Sequence, residues 1–475
     1  MGSNFAKSSI AELTDGYRRR AFSPVEVVNE LLARIESHDP QVNAFYTVAA
    51  ERAVAHARRC EADIMQGQVV RSLHGIPFAA KDLFDTKGLR TTYGSKIFAD
   101  HIPQNDAAAV RRLQEAGAIL IGKTATHEFA WGITTNNPHF GPTRNPWHTD
   151  HVPGGSSGGS AAALAAGMVP AALGTDTGGS IRIPASFCGL VGLKPTFQRI
   201  SVDGVFPLAT SLDHPGPMAR TVEDVATLLN VLAGHEPGDS SSAQQPVPDY
   251  TDGLNLGIAG LRIGICSDLH FVPLSTQVQR VFDESIRVMA DLGAEIVDVP
   301  LATAPDIFDA YFTLQLAEAY HAHHRQRQLF PAQASSYGVD VADRLHQASS
   351  VSLAEYLEAR ASQLRVKAEL EDLLGRDVDV LLTPVSAAAP PRIGSNTVIV
   401  NGQELPVRSA VMPYTTPQDL AGLPACAIRA GFDNDGLPIG MQITGRRWDE
   451  QTVLRVCNAF FHATSSIQQS WPQLL

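Results

Sequence analysis

The chain has 475 residues, of which 44% are hydrophobic and 18% charged, a composition typical of a globular protein with a sizeable core. Its formal net charge of −12 gives no support to a surface that binds nucleic acid. Five scattered cysteines without a CxxC pair argue against a disulfide framework or a zinc ribbon, and they indicate a reducing, cytoplasmic compartment.

The first part of the chain is predicted to be helical. Ser23-Pro24-Val25-Glu26 is typical of a helix start, with a serine cap, a proline at the first helical position and a glutamate that completes a capping box. A second helix is predicted over residues 49–65. We therefore expect residues 1–70 to form an N-terminal helical layer. The N-terminal residues lack the pattern of a signal peptide, and no stretch has the length of a membrane span.

Helix and strand patterns alternate after that layer. The apolar run 76–80 predicts a buried strand that delivers Lys81 at its C-terminal end. A helix over 107–116 is followed by a strand over 118–121, and similar alternation continues to a closing helix over 450–461. Alternation of this kind predicts an α/β fold with layered helices and strands.

The stretch from His151 to Arg182 differs in composition from the rest of the chain. It carries two glycine–serine clusters, Gly154–Ser160 and Gly178–Ser180, separated by a segment rich in small residues. Consecutive glycines leave their amide groups unobstructed and let other groups approach the main chain. The pattern predicts a site built from backbone amides and hydroxyls, and the alternative is a pair of glycine-rich connectors.

Two serines in this stretch are candidate nucleophiles. Ser156 lies in a G-x-S-x-G pattern, but a loop rather than a strand precedes it, so the setting of a nucleophile elbow is missing. Ser180 follows Thr177-Gly178-Gly179, and amides placed there suit the oxygen anion of a tetrahedral intermediate.

A serine nucleophile also needs a base, for which the candidates are Lys81, His74 and His151. Lysine acts as a base only when desolvation lowers its pKa. Other chemistries have less support. No lysine follows the glycines as a phosphate loop requires, and the crowded histidines of the helix predicted over 307–330 lack the spacing of a zinc site.

Several long motifs resemble those of the amidase signature family. The resemblance covers about residues 23–461 and is carried by Ala80-Lys81-Asp82, Gly154–Ser160, Gly174–Ala185, Gly192–Thr196, Gly422–Ala425 and Gly436–Gly440. It implies a single compact α/β/α sandwich with a large mixed β-sheet covered by helices on both faces. It also implies a catalytic domain over 71–475, with a signature core at about 75–200, that forms one structural unit with residues 1–70.

The resemblance further implies a Ser–cis-Ser–Lys triad that uses no cofactor and no metal. Ser180 would be the nucleophile, Ser156 the bridging serine after a cis peptide bond, and Lys81 the base. The backbone amides of Thr177, Gly178, Gly179 and Ser180 would form the oxyanion hole. An acyl-enzyme would form, release ammonia or an amine, and be hydrolysed by water.

Within this family we expect a free-standing amidohydrolase that cleaves a small linear amide, whether aryl, aliphatic or carbamate- or urea-like. We expect a cytoplasmic homodimer that binds neither nucleic acid nor membrane. The alternative is the A subunit of a glutamyl-tRNA amidotransferase-type complex, but Thr126–Phe129 and Asp419 depart from the residues usual in that subunit. The acyl pocket is predicted to be lined by 136–147, parts of 307–330, and 413–420.

Overall fold

The computed structural model describes residues 5–67, 71–472 and 474. The predicted boundary after residue 70 falls at residues 68–70, outside the described residues, so the division into two regions stays a prediction. Residues 1–4, part of the stretch used to predict that a signal peptide is absent, also lie outside them. In the described chain, no helix combines the length and the apolar character needed to cross a bilayer.

Most strands of the described chain join one large sheet. In chain order, the strands are β1 (Phe45–Val48), β2 (Pro77–Lys81), β3 (Ile119–Thr124), β4 (Asn136–Asn137), β5 (Gly141–Pro142), β6 (Ala171–Asp176), β7 (Val191–Lys194), β8 (His214–Ala219), β9 (Arg262–Ile265), β10 (Glu295–Asp298), β11 (Val380–Pro384), β12 (Thr397–Val400), β13 (Gln403–Pro406), β14 (Ala425–Phe432) and β15 (Pro438–Gly445). Among the described residues, an 11-stranded sheet has the order β1-β3-β2-β6-β8-β7-β14-β15-β11-β9-β10. The sheet is mixed, because β2 pairs in parallel with β3 and β6 whereas β8, β7, β14 and β15 pair with antiparallel neighbours.

Helices cover the sheet on both faces. They are α1 (Ile10–Arg18), α2 (Pro24–Val42), α3 (Ala50–Met65), α4 (Ala108–Glu115), α5 (Gly158–Ala165), α6 (Arg182–Cys188), α7 (Val222–Leu232), α8 (Thr276–Asp291), α9 (Ile307–His321), α10 (Val339–Ala348), α11 (Leu353–Arg376), α12 (Val407–Val411), α13 (Thr416–Ala421), α14 (Glu450–Ala463) and α15 (Ser465–Gln468). This architecture confirms the predicted α/β fold with a large mixed sheet between helical layers.

The alternation of side chains along the strands separates the two largest hydrophobic cores of the described chain, one on each face of the sheet. In β2, Phe78 and Ala80 belong to the core that includes α1, α4, α7, α8 and α14, whereas Ala79 belongs to the core that includes α2, α3, α5, α6 and α9. A strand with both faces buried has a continuous apolar sequence, which explains the signal at 76–80.

The structure departs from the predicted elements in two places. The N-terminal region is not purely helical, because β1 pairs antiparallel with β3 and forms one edge of the large sheet. The helix predicted over 307–330 ends at His321, after which Ala322–Gln326 form a short π-helical turn. Both features depend on tertiary contacts, which local periodicity does not report.

The capping box predicted at Ser23 is present, and two other helix starts show related arrangements. Ser23 with Glu26, and Ser352 with Glu355, form reciprocal capping boxes at the starts of α2 and α11. At α7 the Thr221 side chain caps the helix, but the carboxylate of Asp224 accepts a hydrogen bond from the Ile10 amide at 2.9 Å. This contact ties the first turn of α1 to α7.

Candidate active site

Lys81 lies at the C-terminal end of β2 with its side chain fully buried. Its Nζ atom lies 2.8 Å from the Ser156 hydroxyl and 2.7 Å from the Thr175 hydroxyl. Burial lowers the pKa of Lys81 to about 7, although the nearby carboxylates of Asp176 and Asp213 act in the opposite direction. A substantial neutral fraction near pH 7 makes this amine suited to act as a base.

The turn before α5 holds Ser156 beside that amine. The Gly155–Ser156 peptide bond is cis, as the resemblance implies. The neighbouring Ser157 does not share in the contact with the lysine. Its hydroxyl donates to the Thr175 carbonyl and accepts from the Thr175 amide, each at 3.2 Å. Ser157 therefore joins the turn to β6.

Ser180 lies in the turn between β6 and α6 and lines a cleft of the described chain that we call the acyl cavity. Its carbonyl accepts a hydrogen bond from the Ser157 amide at 3.2 Å, so the two serine turns are in direct contact. Among the described residues, no hydrogen bond joins the Ser180 hydroxyl to Ser156. The contact between the expected base, Lys81, and the expected bridging serine, Ser156, is therefore formed, whereas the contact between Ser156 and Ser180 stays a prediction.

The backbone amides expected to form the oxyanion hole fall into two groups. The Gly179 amide donates to the Asp176 carboxylate at 2.6 Å and is therefore already occupied, contrary to its expected role. The amides of Thr177, Gly178 and Ser180 donate to no other group in the described part of the chain. These three amides are available to a negatively charged oxygen.

Gly178 has to be glycine because a tyrosine side chain lies directly above it. A Cβ atom at this position would come within 1.9 Å of the Tyr311 hydroxyl oxygen. The Thr415 hydroxyl holds the same residue by donating to the Gly178 carbonyl at 2.8 Å. The predicted glycine cluster thus serves the close approach of other groups to the main chain.

A buried charge network supports the Ser180 turn from below. Arg182 pairs with Asp176 at 3.0 Å and with Asp419 at 2.7 Å. Burial alone would raise the pKa of Asp176, but the Arg182 guanidinium lowers it well below the ordinary value. Asp176 also accepts the Gly179, Ile181 and Arg182 amides, so one carboxylate fixes the whole turn.

A second buried carboxylate holds the start of the turn. The Thr177 hydroxyl donates to Asp213 at 2.6 Å, and the amides of Leu208 and Ala209 donate to the same side chain. Burial raises the pKa of Asp213 to about 6. Asp213 is also one of the charges that act on Lys81, so this contact links the turn to the base.

The acyl cavity has a volume of about 360 Å³. Its walls consist of 130–134, Asn136, Thr177, Gly178, Ser180, Leu208, Tyr311, Gln315, Asp340, Arg344, 394–396, 406–408 and Met412, with His127 at one side. The predicted contribution from 307–330 is present, but only Asn136 represents 136–147. The expected wall over 413–420 is replaced by 394–396, 406–408 and Met412, and the Thr415 hydroxyl contacts the Gly178 carbonyl instead of lining the cavity.

The two histidines considered as bases lie outside the acyl cavity. His74 contacts the Cys60 carbonyl at 3.2 Å, and His151 forms an isolated bridge with Arg392. His323, one of the crowded histidines, is buried and contacts the Tyr337 hydroxyl at 2.9 Å. Lys81 is thus the candidate base that contacts a candidate serine.

The sequence predicted the segment that contains Tyr311 and Gln315 but singled out neither residue, and it missed Arg408 entirely. The Gln315 side chain donates to the Tyr311 hydroxyl at 2.6 Å and accepts from Arg408 at 2.9 Å. Tyr311 and Gln315 are four residues apart on α9, whereas Arg408 comes from α12, far away in the chain. Only the i, i+4 spacing on α9 was present as a signal, and such spacing is equally typical of core packing.

Comparison with known proteins assigns the chain to a family. Residues 26–454 match the Amidase family. The chain therefore belongs to the amidase signature family, and its enzymatic class is that of hydrolases acting on carbon–nitrogen bonds. This confirms the resemblance carried by the glycine–serine motifs.

The similar relatives include members of a multi-subunit enzyme. The A subunit of glutamyl-tRNA(Gln) amidotransferase from Geobacter metallireducens is 40% identical, with 96% of this chain and 97% of the relative covered. A structure described as a vestigial protein complex that reveals the origins of an s-triazine catabolic enzyme is 36% identical, with a TM-score of 0.90 and coverage of 96% and 98%. A bacterial aryl acylamidase has 29% identity, a TM-score of 0.89 and 97% of both chains covered.

These relatives contradict the predicted partners. The sequence predicts a homodimer that acts on a small-molecule amide and binds no nucleic acid, yet the relatives at about 40% identity are subunits of an amidotransferase named for its tRNA. The residues that favour a free-standing enzyme have different places in the structure. Asp419 pairs with the buried Arg182, whereas His127, one of the departures within Thr126–Phe129, contacts Asp340 at 2.9 Å in the wall of the acyl cavity.

Proposed function

We propose that this chain is the amide-hydrolysing subunit of a glutamyl-tRNA amidotransferase-type assembly, with Ser180 as nucleophile, Ser156 as bridging serine and Lys81 as base. It cleaves the C–N bond of an amide donor, and the released ammonia is used by the assembly. The observation that carries the catalytic part is the 2.8 Å contact between the buried Lys81 amine and the Ser156 hydroxyl, next to a cavity that contains Ser180.

The reaction begins with proton transfer. Neutral Lys81 takes a proton from Ser156, which takes one from Ser180 as the Ser180 oxygen bonds to the amide carbon. The carbonyl oxygen becomes negative and is stabilised by the amides of Thr177, Gly178 and Ser180; each such donor contributes about 3–4 kcal/mol to transition-state binding. The C–N bond breaks as the nitrogen receives the proton through Ser156, which leaves an acyl-enzyme and ammonia.

Water completes the cycle by the same route in reverse. It loses a proton through Ser156 to Lys81 while its oxygen bonds to the acyl carbon. The bond to the Ser180 oxygen then breaks, the proton returns to Ser180, and the carboxylic acid leaves. The net reaction consumes one amide and one water and yields one acid and one ammonia.

The participation of partner proteins is supported by the relatives rather than by the cavity. Relatives of nearly the same length as this chain are subunits of an amidotransferase, and one solved relative is described as part of a vestigial protein complex. Because the similarity covers 96% of this chain, the proposal concerns the whole molecule.

The test is reconstitution with the remaining subunits of a glutamyl-tRNA(Gln) amidotransferase from the source organism. We expect the chain to co-purify with them and to support amidation of glutamyl-tRNA(Gln), with ammonia release that requires Ser180. A Ser180→Ala assembly should bind its partners normally and release no ammonia. Failure of the wild-type chain to bind any of these subunits, together with full amide hydrolysis by the chain alone, would refute the proposed assembly.

A further inference from the structure

Two adjacent clefts lie along the exposed face of α3, and neither shares a lining residue with the acyl cavity. Their volumes are about 320 and 370 Å³. His56 and Arg59 of α3, together with Arg71, line both clefts. These three residues therefore lie where the two clefts meet, at a place that we call the α3 site.

Three arginines around the α3 site have no carboxylate partner in the described chain. Arg52, which lines the second cleft, donates to the Gln114 side chain at 3.2 Å and to a backbone carbonyl at 2.9 Å. Arg71 donates to the Glu115 carbonyl at 2.9 Å. Arg59 is exposed and has no hydrogen-bond or ion-pair partner among the described residues. Because these guanidinium groups meet no carboxylate, they keep free donors for an anion.

The acidic side chains of the two clefts are engaged in other contacts. Asp63 lies 3.7 Å from the Nε2 atom of His74, and Asp106 accepts a backbone amide at 2.8 Å. Glu115 pairs with Arg111 of the same helix at 3.3 Å. With four arginines and three carboxylates in their linings, the two clefts carry a net positive charge on a chain whose net charge is −12.

His56 is surrounded by this positive charge. Burial, followed by the charge of Arg59 and of the other cations nearby, lowers the pKa of His56 to about 4. The ring is therefore neutral at pH 7, and it has no hydrogen-bond partner in the part of the chain that the structure describes. A neutral imidazole carries one N–H donor, from which an anion at this place can accept a hydrogen bond.

We propose that the α3 site binds a phosphate group through the guanidinium groups of Arg59 and Arg71 and the N–H of His56. Phosphate oxygens match the paired donors of a guanidinium group, and two such groups balance the two charges of a phosphate dianion. The phosphate group belongs either to the free ion or to a small phosphate ester. This inference goes beyond the proposed amide hydrolysis and does not depend on it, because the α3 site and the acyl cavity have no lining residue in common.

The test is a titration of the full-length chain with inorganic phosphate and with adenosine monophosphate, followed by the broadening of the ligand's phosphorus resonance at constant ionic strength. We expect the wild-type chain to bind with a dissociation constant on the order of 1 mM. Arg59→Met and Arg71→Met should each weaken binding by about 10-fold or more, as for loss of one charge-assisted contact. Binding of adenosine monophosphate shows that the site accepts a phosphate ester, whereas binding of phosphate alone restricts it to the free ion. Both outcomes support the inference.

Arg58→Met is the matched control. Arg58 is the exposed neighbour of Arg59 on α3, but it lines a different cleft, together with Tyr17 and Met65. The control removes the same charge from the same helix, and screening should keep its effect on binding within about twofold. Acetate is the control ligand and should displace phosphate only weakly, because it carries a single charge.

Three results would overturn the inference. They are the absence of binding of either phosphate compound to the wild-type chain, binding of equal strength to Arg58→Met and Arg59→Met, and displacement of phosphate by an equal concentration of acetate. Binding is measured without turnover, so none of these results depends on whether the chain hydrolyses an amide. A chain that binds phosphate as expected but hydrolyses no amide would count against the proposed function alone.

Discussion

The chemistry of this site depends on Lys81, whose side chain is fully buried and therefore desolvated. Lys81 has the same orientation along β2 as Ala79, so its side chain extends toward the α5 side of the sheet, where it meets Ser156. Its pKa, about 7 through burial, lies far below the ordinary value of 10.5. The neutral amine acts as the base, so protonation should stop the reaction.

The pH dependence of catalysis follows directly. We expect kcat/KM to be low at pH 5.5, to rise with an apparent pKa of about 7, and to level off above pH 8, because only the deprotonated Lys81 accepts a proton. Lys81→Arg, which stays charged, should be inactive throughout this range. A wild-type profile that is flat between pH 5.5 and 9 would contradict the assignment of Lys81 as base.

A second variant distinguishes Lys81 from Lys194, another buried lysine whose pKa burial lowers to about 7. The negative charge of Asp213 raises the pKa of Lys81, whereas Asp419 has the corresponding effect on Lys194. Asp213→Asn should therefore move the acidic limb of the profile to lower pH. A limb that stays in place would indicate a titrating group other than Lys81.

The nucleophile can be tested by removing a single hydroxyl. Ser180→Ala should lower ammonia release by about 10³-fold or more, because no covalent intermediate can form without the Ser180 oxygen. Ser186→Ala is the matched control, since this buried serine of α6 accepts a hydrogen bond from the Gly440 amide and lies outside the acyl cavity. The control should keep activity within about threefold. Comparable activity in both variants would rule out Ser180.

At the scale of elements, the reactive turn is held by charges that link β6, α6 and α13. Arg182 is fully buried and contacts Asp176, Asp419, Gln418 and Gln442. Removing one member of a buried ion pair leaves the others uncompensated, which is more damaging than the loss of an exposed pair.

Arg182→Met should therefore destabilise the fold by about 3–5 kcal/mol, since it leaves two buried carboxylates without their cation. The free energy of unfolding is measured by urea denaturation. Arg376→Met, which removes only solvent-exposed ion pairs at the end of α11, should leave the unfolding midpoint unchanged. Equal midpoints for the two variants would contradict the structural role assigned to Arg182.

The contact between α1 and α7 gives a prediction about stability and pH. Burial raises the pKa of Asp224 to about 7, although this carboxylate accepts the Ile10 amide. Because the folded state binds the Asp224 proton more tightly than the unfolded state does, protonation of Asp224 stabilises the fold at low pH. This contribution to the free energy of unfolding is lost as the pH rises toward 7. Asp224→Asn keeps an acceptor for Ile10 without the charge. It should raise the free energy of unfolding at pH 8 by about 2–4 kcal/mol, with little gain at pH 4.

The comparison uses chemical denaturation at both pH values. Asp252→Asn, a change at an exposed aspartate in a loop, serves as the control and should follow the wild type. If Asp224→Asn shows the same gain at pH 4 as at pH 8, the effect has a cause other than the buried charge.

For the whole molecule, the sequence predicted those features that local pattern and motif determine. The strand before Lys81 and the helix beginning at Ser23 both follow from patterns within short segments. The order of strands in the sheet could not be predicted in this way. Strand order depends on which apolar surfaces bury each other in the folded chain. The pairing of β1 with β3 is an example, because nothing local to residues 45–48 indicates it.

Contacts between distant segments also determine the features of the site that the sequence did not predict. Arg408, Gln315 and Tyr311 meet only because α9 and α12 pack over the Gly178 turn. Nothing near Arg408 in the sequence distinguishes it from a surface arginine. The Gly179 amide donates to the Asp176 carboxylate, a contact that depends on the path of the turn. Three of the four expected amides therefore remain available to the substrate oxygen. The predicted partners were wrong because neither the net charge nor the residues at 126–129 and 419 report the assembly in which the relatives take part.

The most direct test of the account is to trap the covalent intermediate. The wild-type chain is mixed with an amide substrate during turnover, quenched in acid within milliseconds, and analysed by intact mass and by fragmentation of the peptide that contains residues 174–185. We predict an added acyl group on Ser180, present in the wild type and absent from Ser180→Ala. An acyl group on Ser156, or steady turnover with no adduct on either serine, would contradict the mechanism.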